Sequence, residues 1–314
     1  MRRIILLIFL VLLIGWSPAN AYWIWTPKSG KFVNPKNLPK ATPKEQFAYA
    51  KSFYDIKKYD DAIKEFKKLL NTYPKSFEAS ESQYYMGLIE EEKGNLYDAY
   101  LHYQKVIDKY PFSERIQEII NREYKIAEAF MNGAKRKALG VTLPVENPAI
   151  EIFSKIVENS TYGPLAAKSQ YMLGLVLKGQ LRYYEAEEAF NKVISNYPSS
   201  EWSTAAKFQL ATCRAAESQG PDYDQGAMQE AKQQFEEFAR EHPDAVLSEQ
   251  AEKNIAELKE KEAASSYNIA RFYEKQKVYD SAVIYYSEVV NNYSDTPWAA
   301  KAAERLSALE KSKK

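Results

Sequence analysis

The sequence has very few of the residues on which catalytic and metal sites commonly depend. Its 314 residues include one cysteine, two histidines and 11 glycines. The single thiol, Cys213, excludes an internal disulfide framework. Neither a His/Cys spacing typical of a metal site nor a glycine-rich phosphate loop occurs. The sequence therefore predicts a protein that is not an enzyme and that uses no cofactor, metal or small-molecule substrate.

An excess of charge of either sign is also missing. The chain has 43 basic and 42 acidic residues, a formal charge of +1. Removing the first 21 residues takes away Arg2 and Arg3 and no acidic residue, which changes this charge to −1. Such a balance predicts no general attraction of the whole chain to nucleic acid or to anionic lipid.

Residues 1–21 have the order of a secretory signal peptide. Arg2 and Arg3 precede an apolar stretch, residues 4–14, and the small-residue triplet that ends at Ala21 follows it. The apolar stretch is short for a membrane span, which needs about 20 apolar residues. We therefore expect export with cleavage after Ala21; the alternative is an uncleaved anchor.

The next stretch, residues 22–43, reads YWIWTPKSGKFVNPKNLPKATP and contains four prolines. Prolines at this density predict an extended segment without a core of its own. Trp23 and Trp25 are candidates for docking onto a partner, and the alternatives are docking onto the rest of the chain or disorder. Two indole rings alone are not expected to hold a protein at a membrane, since even one myristoyl chain gives only marginal attachment.

An internal repeat organises the rest of the chain. Four stretches align without a gap: YDDAIKEFKKLLNTYP, LYDAYLHYQKVIDKYP, YYEAEEAFNKVISNYP and YDSAVIYYSEVVNNYS. Each has an alanine, an aromatic residue four positions later, two aliphatic residues and Tyr-Pro or a relative. Looser copies contain Ala149 with Phe153 and Ala231 with Phe235. Positions four apart share one face of a helix, so the alanine lets a neighbouring helix approach beside the aromatic ring.

A second helix is predicted before each of these. A small residue stands twelve positions before the alanine in the four regular copies, and at the same place before an insertion in the two looser ones. These small residues are Ala50, Gly87, Ala127, Gly174, Ala211 and Ala270. Short turns between the two helices force them to be antiparallel.

This is the tetratricopeptide repeat (TPR) pattern of paired helices. It predicts an all-α fold, a superhelical solenoid of about six helix-turn-helix copies over residues 44–294. Residues 295–314 are expected to form the helix that caps its last apolar face.

The repeat register also explains the residues with catalytic potential. His242 stands where other copies carry the tyrosine of Tyr-Pro, which favours a packing role, and His102 is expected on a solvated helix face. Cys213, within LATCRAA, fits a small packing residue, as buried cysteines commonly are.

An aromatic residue lies three positions before each small residue of the first helices. These residues are Phe47, Tyr84, Tyr124, Tyr171, Phe208 and Tyr267, and Tyr54 follows Phe47 on nearly the same helix face. First helices line the concave surface of such solenoids, so a ladder of rings there is predicted to bind extended peptide. The alternative is that these rings only pack between helices.

Together these features resemble the BamD family of outer-membrane β-barrel assembly factors. The resemblance rests on export, on a first copy reading YAKSFYDIKKYDDAIKEFKKLLNTYPKS, on a third copy interrupted by NGAKRKALGVTLPVENP, and on the final YNIARFYEKQKVYDSAVIYYSEVVNNYSDT. Family members are typically lipoproteins, and this chain has no cysteine near the predicted cleavage site.

The resemblance implies a periplasmic scaffold, peripheral to the inner face of the outer membrane. Its implied partners are a BamA-like barrel-inserting subunit and unfolded outer-membrane proteins, with no role for nucleic acid. An alternative is a soluble periplasmic TPR chaperone or a scaffold for envelope or cell-wall complexes.

Overall fold

The computed structural model of the protein describes residues 23–26, 30–34, 38–138, 141–142, 146–217, 225–244 and 246–312. The predicted signal peptide and its cleavage site at Ala21 lie outside these residues. The chain divides into two compact units, Met1–Ile116 and Gln117–Lys314, and each unit is described by itself.

Two antiparallel helix hairpins form the first unit. Its helices are α1 (Pro43–Asp55), α2 (Tyr59–Thr72), α3 (Phe77–Glu92) and α4 (Leu96–Lys109). Ahead of them, strands β1 (Ile24–Thr26) and β2 (Lys31–Val33) pair as an antiparallel ribbon. The segment expected to be merely extended therefore contains a short hairpin, with Gly30 at a φ of 61° in its turn.

The second unit continues the helical pattern. Its helices are α5 (Ile116–Met131), which begins at the unit boundary, α6 (Pro148–Asn159), α7 (Ala166–Gly179), α8 (Tyr183–Asn196), α9 (Glu201–Glu217), α10 (Gln225–Glu241), α11 (Val246–Lys275), α12 (Tyr279–Asn292) and α13 (Pro297–Ser312). The insertion between α5 and α6 contains a small ribbon of β3 (Lys137–Ala138) and β4 (Val141–Thr142). Helix α13 packs on α11 and α12. The predicted all-α TPR fold is confirmed.

The seam of each hairpin follows the predicted spacing of small residues. Every alanine of the repeat that the sequence singles out is fully buried, on both the first and the second helices. At Gly87, a Cβ atom would lie 2.4 Å from Cε1 of Tyr103, and at Gly174 it would lie 2.5 Å from Cε1 of Phe190. The aromatic ring of the second helix thus lies directly against the backbone of the first.

The turn inside each regular hairpin uses one residue with positive φ. Five positions before the repeat alanine stand Lys57, Gly94, Leu181 and Lys277, with φ of 58°, 76°, 62° and 64°. Three of the four are not glycine, although this conformation costs an L-residue about 1–2 kcal/mol. Because a lysine or leucine gives no signal for a left-handed turn, the sequence did not reveal this shared feature.

Two serines ahead of helices use their hydroxyls differently. The Ser76 hydroxyl accepts from the backbone N–H of Ala79 at 3.2 Å and so caps α3. The Ser200 hydroxyl, just before α9, instead donates to the carbonyl of Tyr197 at 2.8 Å. Its side chain therefore closes the preceding turn.

We expect Gly174→Ala to destabilise the protein despite the higher helix propensity of alanine. The added methyl group would press on the fully buried Phe190 ring. Overpacking costs about 1–3 kcal/mol, which exceeds the propensity gain of up to about 1 kcal/mol. Urea unfolding followed by circular dichroism should show a lower midpoint.

Gly179→Ala, in the same helix, is the matched control, because nothing lies within 4 Å of its Cβ position. Its stability should equal or exceed that of the wild type. Equal stability of the two variants would show that no close ring contact exists at Gly174.

Candidate functional site

The aromatic residues of the first helices are mostly interior. Five of the seven candidate binding residues are only 3% to 9% exposed: Tyr84, Tyr124, Tyr171, Phe208 and Tyr267. Each contacts the aromatic ring of the second helix in its own hairpin, with centroid distances between 5.4 Å for Tyr267 and Tyr286 and 5.9 Å for Tyr84 and Tyr103. They therefore extend the seam of each hairpin.

A further contact covers three of these rings. The ring centroids of Tyr171 and Trp202 are 5.2 Å apart, as are those of Tyr267 and Trp298, and in both cases the tryptophan lies 31 positions further along the chain, in the helix that follows the hairpin. At the same spacing, the Arg115 guanidinium lies 4.9 Å from the centroid of the Tyr84 ring. A planar or cationic side chain thus covers each of these three rings.

These contacts correct the expectation of an exposed ladder for the five residues. All five side chains are buried against their own hairpins, so little of their surface is left to face solvent. Their position is instead the one given by the alternative interpretation, in which the rings pack between helices. Contact between any of the candidate residues and a partner stays a prediction.

A partly exposed aromatic cluster remains in the first unit. It contains the other two candidates, Phe47 and Tyr54, together with Tyr85. The centroid of the Tyr85 ring lies 5.5 Å from that of Phe47 and 5.1 Å from that of Tyr54. All three rings are partly buried. The sequence reasoning missed Tyr85, although the adjacent tyrosines of QYYMG were a usable signal: on a helix only one of two neighbours can face the seam.

A carboxylate fixes the edge of this cluster. The hydroxyl of Tyr54 donates to Glu92 at 2.6 Å, and the hydroxyl of Tyr59 donates to the other oxygen of the same carboxylate. These hydrogen bonds lower the pKa of Glu92, and burial together with Glu92 raises the pKa of Tyr54. The cluster therefore presents apolar rings beside a carboxylate that stays ionised at neutral pH.

Buried glutamines join the two helices of three hairpins, a feature that the sequence reasoning also missed. Gln46, Gln83 and Gln170 stand four positions before the small seam residue. Their side-chain amides donate to the carbonyls of Glu65, His102 and Ala189 at 3.1 Å, 3.2 Å and 3.2 Å. The shared offset, glutamine followed directly by an aromatic, was visible in the sequence.

The tyrosine of Tyr-Pro joins consecutive repeats. The hydroxyl of Tyr110 donates to the carbonyl of Pro74 at 3.1 Å, and that of Tyr197 donates to the carbonyl of Thr161 at 2.9 Å. His242, which takes this place in the fifth copy, lies 5.2 Å from the ring of Phe238. Cys213 is fully buried, as expected of a packing residue.

His102 departs from its expected solvated position. It is partly buried, and its Nδ1 lies 2.6 Å from the side-chain nitrogen of Gln83. The same nitrogen donates to the His102 carbonyl, so Nδ1 is the acceptor and the ring is neutral. Burial, followed by the charge of Lys105, lowers the pKa of His102 to about 4.

The N-terminal candidates lie on the β1–β2 ribbon. Trp23 is 59% exposed and Trp25 is 51% exposed. Trp25 pairs with Phe32 across the ribbon. Docking of the two tryptophans on a partner stays a prediction.

Among the residues that the structure describes, no group of three or more His, Cys, Asp or Glu side chains is arranged to hold a metal ion. Likewise, no helix within the described part of the chain is both long and apolar enough to cross a bilayer.

Helix hairpins in which a small residue meets an aromatic ring, and which end in Tyr-Pro, define a tetratricopeptide repeat protein. A family model of that repeat matches residues 46–76 and 81–113. A second family model, YfiO, described as outer membrane lipoprotein, matches residues 147–313, more than half of the chain. The chain therefore belongs to the YfiO family, which is the BamD family that its sequence pattern resembles.

Solved structures add a general likeness to TPR proteins. The C-terminal part of a TPR repeat-containing protein from Cytophaga hutchinsonii has 20% identity and a TM-score of 0.36, over 84% of this chain and 88% of that one. A tetratricopeptide repeat protein from Parabacteroides merdae has 15% identity and a TM-score of 0.33, over 85% and 98%. Scores this low carry no argument about function. A search of curated proteins finds no match.

We expect His102 to make the stability of the protein depend on pH. Its pKa in the folded protein, about 4, is below the ordinary histidine pKa of 6.5, so the unfolded chain takes up the proton first as the pH falls. Stability is therefore lost between these two values and is unaffected above them. Because the ring is partly solvated, we expect a loss of about 1–2 kcal/mol rather than the full shift.

The measurement compares urea unfolding of the wild type and His102→Gln at about pH 8 and about pH 5. Carboxylates titrate in both proteins and cancel in the comparison. The stability difference should move in favour of the glutamine variant at the lower pH. A difference that is the same at both pH values would contradict a neutral, buried His102.

Proposed function

We propose that the protein is a periplasmic scaffold of outer-membrane β-barrel assembly. In this role it binds a BamA-like barrel-inserting subunit and also unfolded outer-membrane proteins, and it is peripheral to the inner face of the outer membrane. The observation that carries the proposal is the match of residues 147–313 to a family described as outer membrane lipoprotein. TPR repeats in the other half of the chain support a role in protein–protein interaction.

The partly exposed cluster of Phe47, Tyr54 and Tyr85 is the proposed contact surface of the first unit. Tyrosine rings combine apolar area with a hydroxyl group at the edge, which suits extended peptides of varied sequence. The hydroxyl of Tyr54 is already held by Glu92, so its ring is oriented before a partner arrives. A fixed ring loses less conformational freedom on binding than a mobile one.

No enzymatic step is part of this proposal. The side chains with catalytic potential have packing environments: Cys213 is fully buried, and His102 is neutral against Gln83.

A capture experiment from cross-linked cell envelopes tests the proposal. We expect the wild-type protein to capture the barrel-inserting subunit together with unfolded outer-membrane proteins. Tyr54→Ala/Tyr85→Ala should capture at least about tenfold less of the unfolded proteins, as loss of central aromatic contacts commonly costs more than 1 kcal/mol each. Tyr162→Ala/Tyr184→Ala is the matched control, because these tyrosines are 97% and 71% exposed and lie in the second unit. Circular dichroism verifies that each variant is folded.

Capture of no barrel-assembly protein by any form would contradict the scaffold role and favour a soluble periplasmic chaperone or a scaffold for cell-wall complexes. Equal capture by both double variants would keep the scaffold role and reject the aromatic cluster as its contact surface.

A further inference from the structure

The β1–β2 ribbon gathers three large aromatic side chains on one side. Trp25 and Phe32 are directly opposite each other in the antiparallel pairing, and opposite residues point to the same face. Trp23 precedes Trp25 by two positions and shares that face by the alternation of an extended chain. The three side chains are 59%, 51% and 66% exposed in the order Trp23, Trp25 and Phe32.

Charge is distributed unevenly between this segment and the repeats. Residues 22–44 contain five lysines and no acidic residue. Residues 45–314 contain 36 of the 43 basic side chains and all 42 acidic ones, a formal charge of −6. The near-neutral balance of the whole chain therefore hides a basic, aromatic segment attached to acidic repeats.

We propose that the aromatic face of Trp23, Trp25 and Phe32 inserts into the interface of an anionic lipid bilayer. Tryptophan is enriched at membrane interfaces, where its apolar body and N–H group both find suitable surroundings. The lysines that the sequence of the same segment contains are attracted to anionic headgroups. A partner with negative charge over an apolar interior fits both observations at once.

The ribbon itself gains from such a surface. Its two strands have three residues each, and an isolated two-stranded ribbon is marginally stable in water at best. A bilayer covers the aromatic face that the ribbon exposes. The negative charge of residues 45–314 opposes their approach to the same lipid, so attachment is confined to the N-terminal segment and the repeats stay available to proteins.

The attachment is peripheral and reversible. One myristoyl chain gives a binding constant on the order of 10⁴ M⁻¹, and each lysine near an anionic surface raises binding roughly fivefold. Two tryptophans alone are too weak an anchor, which is why the sequence reasoning set a membrane role aside. Phe32 and the five lysines supply the additional contributions.

Vesicle flotation tests the inference with the exported chain, which begins at Tyr22 after the predicted signal peptide. The vesicles contain either equimolar phosphatidylcholine and phosphatidylglycerol or phosphatidylcholine alone. We expect binding to the anionic vesicles and much weaker binding to the neutral ones. Binding should also fall as salt is raised, because the Debye length shrinks from about 10 Å at 0.1 M to about 3 Å at 1 M.

Two variants separate the apolar and the electrostatic contributions. Trp23→Ala/Trp25→Ala/Phe32→Ala should weaken binding to the anionic vesicles on the order of 100-fold, because it removes most of the apolar area that is buried. Lys28→Gln/Lys31→Gln/Lys36→Gln removes three of the five positive charges of residues 22–44 and should also weaken binding on the order of 100-fold.

The matched control is Phe112→Ala/Tyr162→Ala/Tyr184→Ala, which removes three exposed aromatic side chains elsewhere on the protein. Its binding should equal that of the wild type. The inference is overturned if the wild type does not float with anionic vesicles or if either variant of the segment binds as well as the control. It is also overturned if the ribbon binds an envelope protein in the absence of lipid. Since the vesicles contain no protein, such failure leaves the proposed scaffold function intact.

Discussion

The contact between a small residue on the first helix and an aromatic ring on the second determines the geometry of each hairpin. At Gly87 and Gly174 the ring touches the backbone so closely that even a methyl group has no room. The same ring then contacts a second aromatic residue on the first helix, as Phe190 contacts Tyr171. That residue in turn meets Trp202 of the following helix. One line of rings therefore connects the interior of a hairpin to the next element, and the repeat spacing of the sequence follows from it.

This use of aromatic residues restricts where a partner can bind. Rings that join hairpins have little surface left, so the repeated aromatic position is chiefly structural. Accessible aromatic side chains lie elsewhere, and the proposals concern two groups of them: the partly exposed cluster of Tyr54 and Tyr85 and the ribbon that carries Trp23 and Trp25. Both lie in the first unit, whereas the YfiO family match lies in the second. The proposed contacts with client peptide and with lipid therefore use parts of the chain that differ from those that identify the family.

Sequence reasoning succeeded where one spacing is repeated many times. Six copies of the same offsets predicted the helix pairs and the buried alanines. It failed where a single side chain has to be assigned to one side of a helix. The repeat register singled out Tyr84 as a surface candidate, yet its ring is buried in the seam and the neighbouring Tyr85 is the partly exposed one. His102 likewise depends on Gln83 of the facing helix, a partner that no local pattern reveals, and the β ribbon lacks any repeated copy from which to infer it.

Hydroxyl-radical footprinting of tyrosine side chains tests most directly whether the repeated aromatic position is structural. The account predicts that Tyr171 and Tyr267, enclosed between helices, are oxidised far more slowly than Tyr162 and Tyr184, which are exposed in the same unit. Rates normalised to free tyrosine should separate the two pairs in the folded protein and converge when the protein is unfolded in urea. Equal rates in the folded protein would contradict the account, because the rings would then form an open surface rather than the joints between hairpins.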